Sequence, residues 1–195
     1  MEELIIKRKT YHIESIRFEN DSFIEFLTTF KNKKYLVRKY KIESEFTEAL
    51  YRYKKIYSYG IYTPMLRVKD KKEFILVFDY IEGETMAEVL SKGDIPENVF
   101  TKLFTFYRYC RANQIEINYL PENFIVNDKK LYYTSLELFP KNPDINLENY
   151  GIEFWIMSQK GYDHLIQLGY KVDKKRVLAR GEANKKLVLL SLLNW

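Results

Sequence analysis

Residue types that most often act as nucleophiles or metal ligands are sparse in this chain. His12 and His164 are its only histidines, and they lie far apart in the sequence. No Cys/His spacing typical of a zinc site occurs, so each histidine is more typical of a surface or core position. Cys110 has aromatic neighbours on a predicted helix, which indicates buried packing rather than a reactive thiol. Carboxylates, amides and cations therefore remain as the candidates for chemistry.

Size and composition favour a cytoplasmic globular protein. At 195 residues the chain is long enough for one compact domain or two small lobes. The single cysteine excludes an internal disulfide and agrees with a reducing compartment. The first residues lack the layout of a signal peptide, and no apolar run reaches membrane-spanning length. We therefore expect a cytoplasmic protein without membrane contact, in which the apolar stretch 187–193 forms a buried terminal helix.

The chain carries a small excess of positive charge, with 32 Lys and Arg against 27 Asp and Glu. Its lysine clusters, at 31–34, 71–72 and 129–130, coincide with predicted turns. This is more typical of solvated turns than of one basic nucleic-acid-binding face. The 17 tyrosines and 13 phenylalanines lie mostly in periodic segments, which favours core packing over base stacking. An RNA partner is therefore disfavoured.

The first part of the chain shows the two-residue periodicity of antiparallel strands. The apolar period becomes helical over 42–59, before Gly60. Two further strands follow, around a polar turn at 70–72. Five strands are thus predicted, with one helix after the third, and they span 11–18, 23–30, 35–40, 65–68 and 73–80.

Gly83 interrupts the strand pattern, and the remainder of the chain is mainly helical. One pair of short strands, at 123–126 and 131–136, forms a small β island. Helices are predicted on both sides of it, at 85–90, 96–112, 147–157, 162–168, 174–179 and 183–193. We therefore predict an α+β fold in two lobes. A β-rich lobe with one helix, built on a five-stranded antiparallel sheet, spans 1–82, and a mainly helical lobe with the β island spans 83–195.

The order of these elements and four short stretches resemble the protein-kinase-like superfamily over residues 11–170. The sequence looks closest to its small atypical members, such as the KEOPS-complex kinase and the aminoglycoside- and choline-kinase-like proteins. The resemblance implies a protein-kinase-like bilobal fold with a reduced helical lobe, and ATP as the ligand. The stretches correspond to the third strand, the helix exit, the hinge and the second half of the catalytic loop: Tyr35–Tyr40, Tyr59–Pro64, Phe74–Glu84 and Leu120–Val126.

The resemblance implies a phosphate-binding cation on the third strand. Strand alternation lets only one of Arg38 and Lys39 point into the cleft, and small-kinase patterns favour Arg38. A helix glutamate would orient this cation, with Glu48 as the first candidate and Glu45 as the second. A surface ion pair explains the same charges equally well.

The hinge implied by the resemblance would offer bare backbone groups to an adenine ring. If Phe78 precedes the hinge, the carbonyl of Asp79 and both backbone groups of Ile81 face the purine. A central strand without any ligand accounts for the same residues. The turn 19–22, where family members often have glycines that cover the phosphates, contains no glycine.

The catalytic positions implied by the resemblance carry neutral side chains. Counting back from Asn123, the proton-accepting aspartate falls on Asn118. An amide cannot accept a proton, and losing a positioned base costs about 10²–10⁴-fold in rate. The metal-binding aspartate falls on Ser135, a neutral ligand, whereas Mg²⁺ prefers charged oxygens. Asn123 keeps the identity of a metal ligand, but one amide oxygen cannot hold the ion alone, so Mg²⁺ binding is disfavoured.

Three carboxylates nearby offer alternatives. Glu137 lies two positions beyond Ser135, so strand alternation can turn it to the same side as a metal ligand. Glu116, at the position of the family's histidine, or Glu122 would supply a base from a shifted loop. Together these alternatives require the backbone to rearrange at the base site and the metal site at once.

Three functions follow from this interpretation. The first is a pseudokinase, a kinase-like protein without catalysis that acts through a protein partner and can bind a nucleotide. The second is an active small atypical phosphotransferase, which uses ATP to phosphorylate a small-molecule or protein hydroxyl. The third is a basic RNA-associated interaction domain, which rests on charge and on analogy between folds.

Overall fold

The structure is a computed structural model that describes residues 2–194. Within them the chain divides into two compact units. The first unit comprises the residues up to Lys55 together with Thr63–Ile81. The second comprises Ile56–Tyr62 and the residues from Glu82 onward. Helices and antiparallel strands both occur, so the predicted α+β class is confirmed.

The first unit is built on one antiparallel sheet. Its strands span Glu3–Ile6 (β1), Lys9–Glu19 (β2), Phe23–Phe30 (β3), Lys33–Tyr40 (β4), Leu66–Asp70 (β5) and Ile75–Asp79 (β6). They are arranged in the order β1-β2-β3-β4-β6-β5. One helix, Glu43–Ser58 (α1), follows β4, as expected from the change of period.

The prediction of a five-stranded sheet is wrong by one strand, because β1 was not foreseen. β1 pairs with β2 across a two-residue turn, Lys7–Arg8, in which the φ angles are 46° and 66°. Such turns favour Asn-Gly, because most side chains are strained in the left-handed region. A Lys-Arg pair carries no such turn signal, so β1 escapes prediction from sequence.

β2 extends beyond the strand on its outer side. β1 pairs with Lys9–His12 only, so from Glu14 to Glu19 this edge has no strand neighbour within residues 2–194. Two β-bulges interrupt the pairing of β2 with β3, one at Glu14 and one at Arg17. β-Bulges bend a strand and increase its local twist.

Helix α1 covers one face of this sheet. Tyr40 of β4 contacts Phe46 of α1 with 6.1 Å between ring centroids, and Tyr53 of α1 contacts Phe78 of β6 at 5.5 Å. Because side chains alternate along a strand, the neighbouring positions point to the opposite face. That face has an apolar cluster of its own, which includes Ile6, Tyr11, Phe26, Val37, Ile75 and Val77.

The second unit is mainly helical. Its helices are Met86–Lys92 (α2), Glu97–Ala112 (α3), Gln159–Gln167 (α4) and Arg180–Asn194 (α5). Its strands are Ile115–Ile117 (β7), Phe124–Asn127 (β8), Lys130–Tyr133 (β9) and Leu138–Pro140 (β10). β8 pairs with β9, and this pair is the predicted β island. The pairing of β7 with β10 was not predicted.

Two predicted helices of this unit are replaced by short 3₁₀ turns, at Gly151–Trp155 and Lys174–Arg176. At the first of these, the Asn146 side chain accepts the Asn149 N–H at 2.7 Å, the hydrogen bond of a helix N-cap, but the chain continues as turns and a 3₁₀ segment instead of an α-helix. Gly151 then packs closely beneath Tyr119, where an added Cβ would lie 2.6 Å from the Tyr119 Cβ. The chain can therefore pass beneath this loop only with glycine at this position.

The prediction that 187–193 is buried is wrong for most of its residues. Leu190 of α5 is buried, whereas Leu192 is 76% exposed and Leu193 is 66% exposed. The last turns of α5 are apolar on both sides, so periodicity could not identify the buried face. None of the helices in residues 2–194 has the length and apolar composition needed to cross a bilayer.

Candidate functional site

Three of the residues predicted at catalytic positions lie together in the second unit. Asn118 follows β7, whereas Ser135 and Glu137 lie between β9 and β10. The pairing of β7 with β10 places these two segments side by side. The Asn118 amide donates from Nδ2 to Oε2 of Glu137 at 2.5 Å. Both side chains are half-buried, so this is a sheltered, charge-assisted hydrogen bond.

The polar side-chain atoms of Asn118 and the hydroxyl of Ser135 have partners within the loop. The Asn118 Oδ1 accepts the Leu120 N–H at 3.0 Å, and Nδ2 is the donor to Glu137. The Ser135 hydroxyl accepts the Glu137 N–H at 3.2 Å. These side chains therefore stabilise the loop conformation through hydrogen bonds to one another and to the backbone.

The buried hydroxyl of Tyr133 joins the two segments. It accepts the Asn118 N–H at 3.2 Å and donates to the Glu137 carbonyl at 2.9 Å. Burial raises the pKa of Tyr133, so the hydroxyl remains a neutral donor. Together these bonds form what we call the Asn118–Glu137 network, composed of Asn118, Tyr133, Ser135 and Glu137.

Glu116, one alternative base, lies in the core of the second unit. Its carboxylate accepts the Tyr119 hydroxyl at 3.1 Å, and burial raises its pKa. The Tyr119 hydroxyl also interacts with the Cys110 thiol, whose pKa burial raises to about 12. The Trp155 indole N–H donates to the Tyr119 carbonyl at 2.6 Å. These buried contacts of Tyr119 therefore hold the residue next to Asn118 in place. Cys110 is an unreactive core thiol.

Glu122 and Asn123 lie in a 3₁₀ turn just before β8. The Asn123 carbonyl accepts the N–H of Thr134 at 2.8 Å and its hydroxyl at 3.1 Å. The Glu122 carboxylate is paired with His164 Nε2 at 2.9 Å. No hydrogen bond among residues 2–194 joins either side chain to the Asn118–Glu137 network. In the same part of the chain, no three His, Cys, Asp or Glu side chains are grouped so that they could hold a metal ion.

Arg38 lies on the α1-covered face of the sheet in the first unit. Its Nε donates to Oε2 of Glu25, the residue opposite it on β3, at 2.5 Å. Its guanidinium lies 5.3 Å from the Phe23 ring centroid and 5.8 Å from that of Phe78. Burial lowers the pKa of Arg38, but the charge of Glu25 and the hydrogen bonds to Glu25 and Tyr40 outweigh it and raise the pKa. Arg38 is therefore a charged residue in a sheltered ion pair.

Lys39 and Glu48 lie in surroundings that differ from those of Arg38. Lys39 is exposed and alternates to the opposite face of β4. Glu48 is paired instead with Arg52, one turn further along α1, at 2.8 Å. Within residues 2–194 the ion pairs found for Arg38 and Glu48 are with Glu25 and Arg52, instead of the expected pair with each other. Glu45 lies in the first turn of α1, where its charge complements the helix dipole.

Asp79 ends β6 and forms a two-pronged ion pair. Arg67 of β5 donates from Nε and Nη2 to its two carboxylate oxygens, both at 2.7 Å. The Asp79 N–H donates to the Met65 carbonyl at 2.9 Å. Ile81 follows as a half-buried residue at the end of the first unit.

No protein-family model and no curated protein matches this chain. The interpretation of these residues therefore depends on their chemistry and on the resemblance described above.

Two residues at the centre of these groups were not predicted, Glu25 and Tyr133. The turn between β3 and β4 has only two residues, Lys31–Asn32, both with positive φ. A two-residue turn fixes the register of the hairpin and places Glu25 opposite Arg38. Recognising this turn would have identified Glu25, whereas the role of Tyr133 depends on the tertiary pairing of β7 with β10.

Proposed function

We propose that this protein is a kinase-like protein without phosphotransferase activity, a pseudokinase that acts by binding a partner. The proposal starts from the resemblance and from the order of elements in the first unit. The five predicted strands are present as β2 to β6, and the helix follows the third of them, β4. Order of elements alone does not specify function, so the proposal depends on particular residues.

The hydrogen bond from Asn118 to Glu137 carries the proposal. In the resemblance, position 118 should accept the proton of the substrate hydroxyl. Here the side chain is an amide whose Nδ2 donates to a carboxylate and whose Oδ1 already accepts the Leu120 N–H. An amide is not a base, and the oxygen and nitrogen of this amide are both already engaged in hydrogen bonds. The pair therefore suits a structural role better than proton transfer.

Ser135 supports the same conclusion for the metal position. Its hydroxyl is neutral and accepts the Glu137 N–H. Mg²⁺ in phosphoryl-transfer sites is bound through carboxylates and substrate phosphates. We therefore expect ATP to bind this protein without any requirement for Mg²⁺.

Arg38 is the residue that would contact a nucleotide phosphate in this proposal. Its side chain is 13% exposed and is already paired with Glu25. A phosphate must compete with this carboxylate, so we expect weak binding of nucleotides. Lys39, with the same charge on the opposite face of β4, is a matched control residue.

The partner-binding part of the proposal is supported by α5. Leu192 and Leu193, together with Val188 and Leu189, are all more than half exposed on this helix. Contiguous exposed apolar side chains are typical of surfaces that another molecule covers. Catalysis does not require such a surface.

A titration of thermal stability with ATP, with and without Mg²⁺, tests the proposal. A ligand that binds only the native state raises the melting temperature. We expect a small shift with ATP that is equal with and without Mg²⁺, is reduced in Arg38→Met and is unchanged in Lys39→Met. We expect no release of ADP above the rate without protein. Mg²⁺-dependent ADP release by the wild type would refute the proposal.

One observation favours a second candidate, an active phosphotransferase. The Glu137 carboxylate lies within hydrogen-bond distance of the Asn118 side chain, so a charged oxygen is present near the position of the missing base. This alternative predicts Mg²⁺-dependent turnover of ATP that is abolished in Glu137→Gln. Turnover that survives in Glu137→Gln would exclude this role for Glu137.

A further inference from the structure

The first unit carries an open pocket on the sheet face opposite α1, with a volume of about 340 Å³. Three aromatic side chains are part of its lining. The Tyr11 ring lies 5.0 Å from Phe30 and 5.8 Å from Tyr35, measured between centroids. Tyr11 is buried, whereas Phe30 and Tyr35 are partly exposed. The pocket thus presents aromatic surface to a ligand.

Two basic turns lie at the same end of this sheet. The turn Lys7–Arg8 joins β1 to β2, and the turn Lys31–Asn32 joins β3 to β4. Because β2 and β3 are antiparallel neighbours, the start of β2 lies beside the end of β3. The cationic residues of these turns and of the adjoining strand ends are Lys7, Arg8, Lys9, Lys31, Lys33, Lys34 and Arg67.

This arrangement differs from the expectation that the lysine clusters are scattered solvated turns. The cluster 31–34 lies beside a second basic segment, 7–9, and residues of both line the pocket or contact its rings. The Lys9 and Lys31 ammonium groups lie 5.7 Å and 5.6 Å from the Phe30 centroid. Cation–π contacts at exposed sites are weak and leave N–H donors for an anion.

Acidic side chains near this end of the sheet are already paired: Glu14 accepts the Thr29 hydroxyl and Glu3 is paired with His12. Asp79 is the acidic residue of the pocket lining, and both of its oxygens are bonded to Arg67. Lys9 and Lys33 also line the pocket and are exposed. The pocket therefore attracts anions. The positive charge extends from the pocket over both turns.

The residues of both turns have left-handed backbone conformations. Lys7 and Arg8 both have positive φ angles, where asparagine and glycine are favoured. Lys31 and Asn32 adopt the same conformation, with φ angles of 50° and 60°. Both turns are tight two-residue turns, so their basic side chains lie directly at the ends of the strands.

We propose that this pocket and its two basic turns bind a single strand of nucleic acid. Several phosphates are needed to match cations spread over two turns, and an exposed base is needed to stack on Phe30 or Tyr35. A duplex hides its base faces, so unpaired nucleotides fit better. RNA and DNA strands share these groups. The proposal concerns a surface that excludes the Asn118–Glu137 network, so it stands or falls independently of the proposed function.

Fluorescence anisotropy of labelled 12-nucleotide oligouridylate and oligothymidylate, titrated with the full chain, tests this proposal. We expect binding that weakens as salt increases, because counterions are released from the phosphates. Lys9→Ala/Lys33→Ala should weaken binding and lower the slope of log K against log salt by about 1.4, since each phosphate contact on a single strand contributes about 0.7. Comparing the two strands shows whether a 2′-hydroxyl contributes.

A matched variant separates this site from general positive charge. Lys71→Ala/Lys72→Ala removes the same charge at the β5–β6 turn, at the opposite end of the same sheet, and should leave the affinity within about two-fold. Phe30→Leu keeps an apolar side chain but removes the ring. It should lower the affinity about five-fold or more, which corresponds to loss of one stacked base.

Four results would overturn the proposal. One is the absence of binding to either strand at 50 mM salt with the protein at about 100 μM. Another is an equal loss of affinity in the Lys71/Lys72 control. A third is duplex binding as tight as single-strand binding. The last is full affinity in Phe30→Leu, which would indicate attraction to phosphate alone. Circular dichroism of each variant verifies that the sheet is intact.

Discussion

Replacing Asn118 by aspartate turns a donor that faces a carboxylate into a second carboxylate. The Nδ2 atom of Asn118 lies 2.5 Å from Oε2 of Glu137, and both side chains are half-buried. The substitution changes almost no volume. Its effect on the free energy of unfolding therefore reports on the polar interaction.

The expected magnitude follows from two contributions. The lost hydrogen bond to a charged group is worth about 1.5–3 kcal/mol. Two like charges 4 Å apart repel by about 4 kcal/mol at an effective dielectric constant of 20, and partial exposure reduces this to about 1 kcal/mol. We expect Asn118→Asp to lower the free energy of unfolding by about 3 kcal/mol at pH 7. The loss should shrink as the pH falls, because two adjacent carboxyl groups that share one proton no longer repel each other.

Urea unfolding followed by tryptophan fluorescence is a suitable assay. Trp155 is fully buried and donates to the carbonyl of Tyr119, the residue next to position 118, so it reports on this loop. The exchanged pair Asn118→Asp/Glu137→Gln restores one carboxylate and one amide. We expect it to recover all but about 1 kcal/mol, and a double-mutant cycle then isolates the pair.

Two outcomes would refute this reasoning. Asn118→Asp could be as stable as the wild type at pH 7, or the exchanged pair could be no more stable than the single variant. Either result would mean that Asn118 and Glu137 do not interact in solution. The exchanged pair also places a carboxylate at position 118 beside an unchanged Ser135, and we expect it to remain inactive towards ATP with Mg²⁺.

Three further predictions concern other parts of the molecule. Arg38→Met should lower the free energy of unfolding in urea by about 3–5 kcal/mol, because Glu25 is left without its cation. Arg38→Met/Glu25→Leu should recover most of this stability. A free energy of unfolding of Arg38→Met within about 1 kcal/mol of the wild type would contradict the sheltered ion pair. Leu192→Ser/Leu193→Ser should change the free energy of unfolding by no more than about 0.5 kcal/mol and reduce the binding of a hydrophobic dye, because both leucines are largely exposed. A large loss of stability would show that this face of the helix is buried. Glu116 has a raised pKa, so the wild type loses stability as pH rises from the ordinary carboxyl pKa, about 4.3, through the raised value. Glu116→Gln should lack this loss and keep the bond from Tyr119, so melting curves between pH 4 and pH 8 should show a difference in its favour that grows with pH; parallel profiles would contradict this.

Sequence patterns predicted the elements that have strong periodicity. The β3 strand and helices α1 and α3 lie within one or two residues of their predicted bounds, because their apolar spacing and end signals agree. Prediction failed where local chemistry overrode periodicity. Lys7–Arg8 adopts a turn without glycine, and a 3₁₀ segment occurs at Gly151–Trp155 where a helix was expected.

The candidate site was predictable only in part, for a geometric reason. Counting along the chain identified Asn118, Ser135 and Glu137, which lie together in the structure. The partner of Arg38 depends on hairpin register, and the register depends on whether the β3–β4 turn has two residues or four. Glu48 was expected from the resemblance to kinases, whereas the register of the β3–β4 hairpin places Glu25 opposite Arg38.

The open edge of β2 has a consequence for self-assembly. An unpaired strand edge is a template onto which a strand from another molecule can add, which is how many sheet proteins aggregate. Here each of the two bulges in this stretch contains a charged residue, Glu14 or Arg17, so a flat incoming strand would meet a kinked backbone and a charge at both points. Deleting either residue would straighten the edge, and we expect a chain altered in this way to form intermolecular β-structure at concentrations where the native chain remains dispersed.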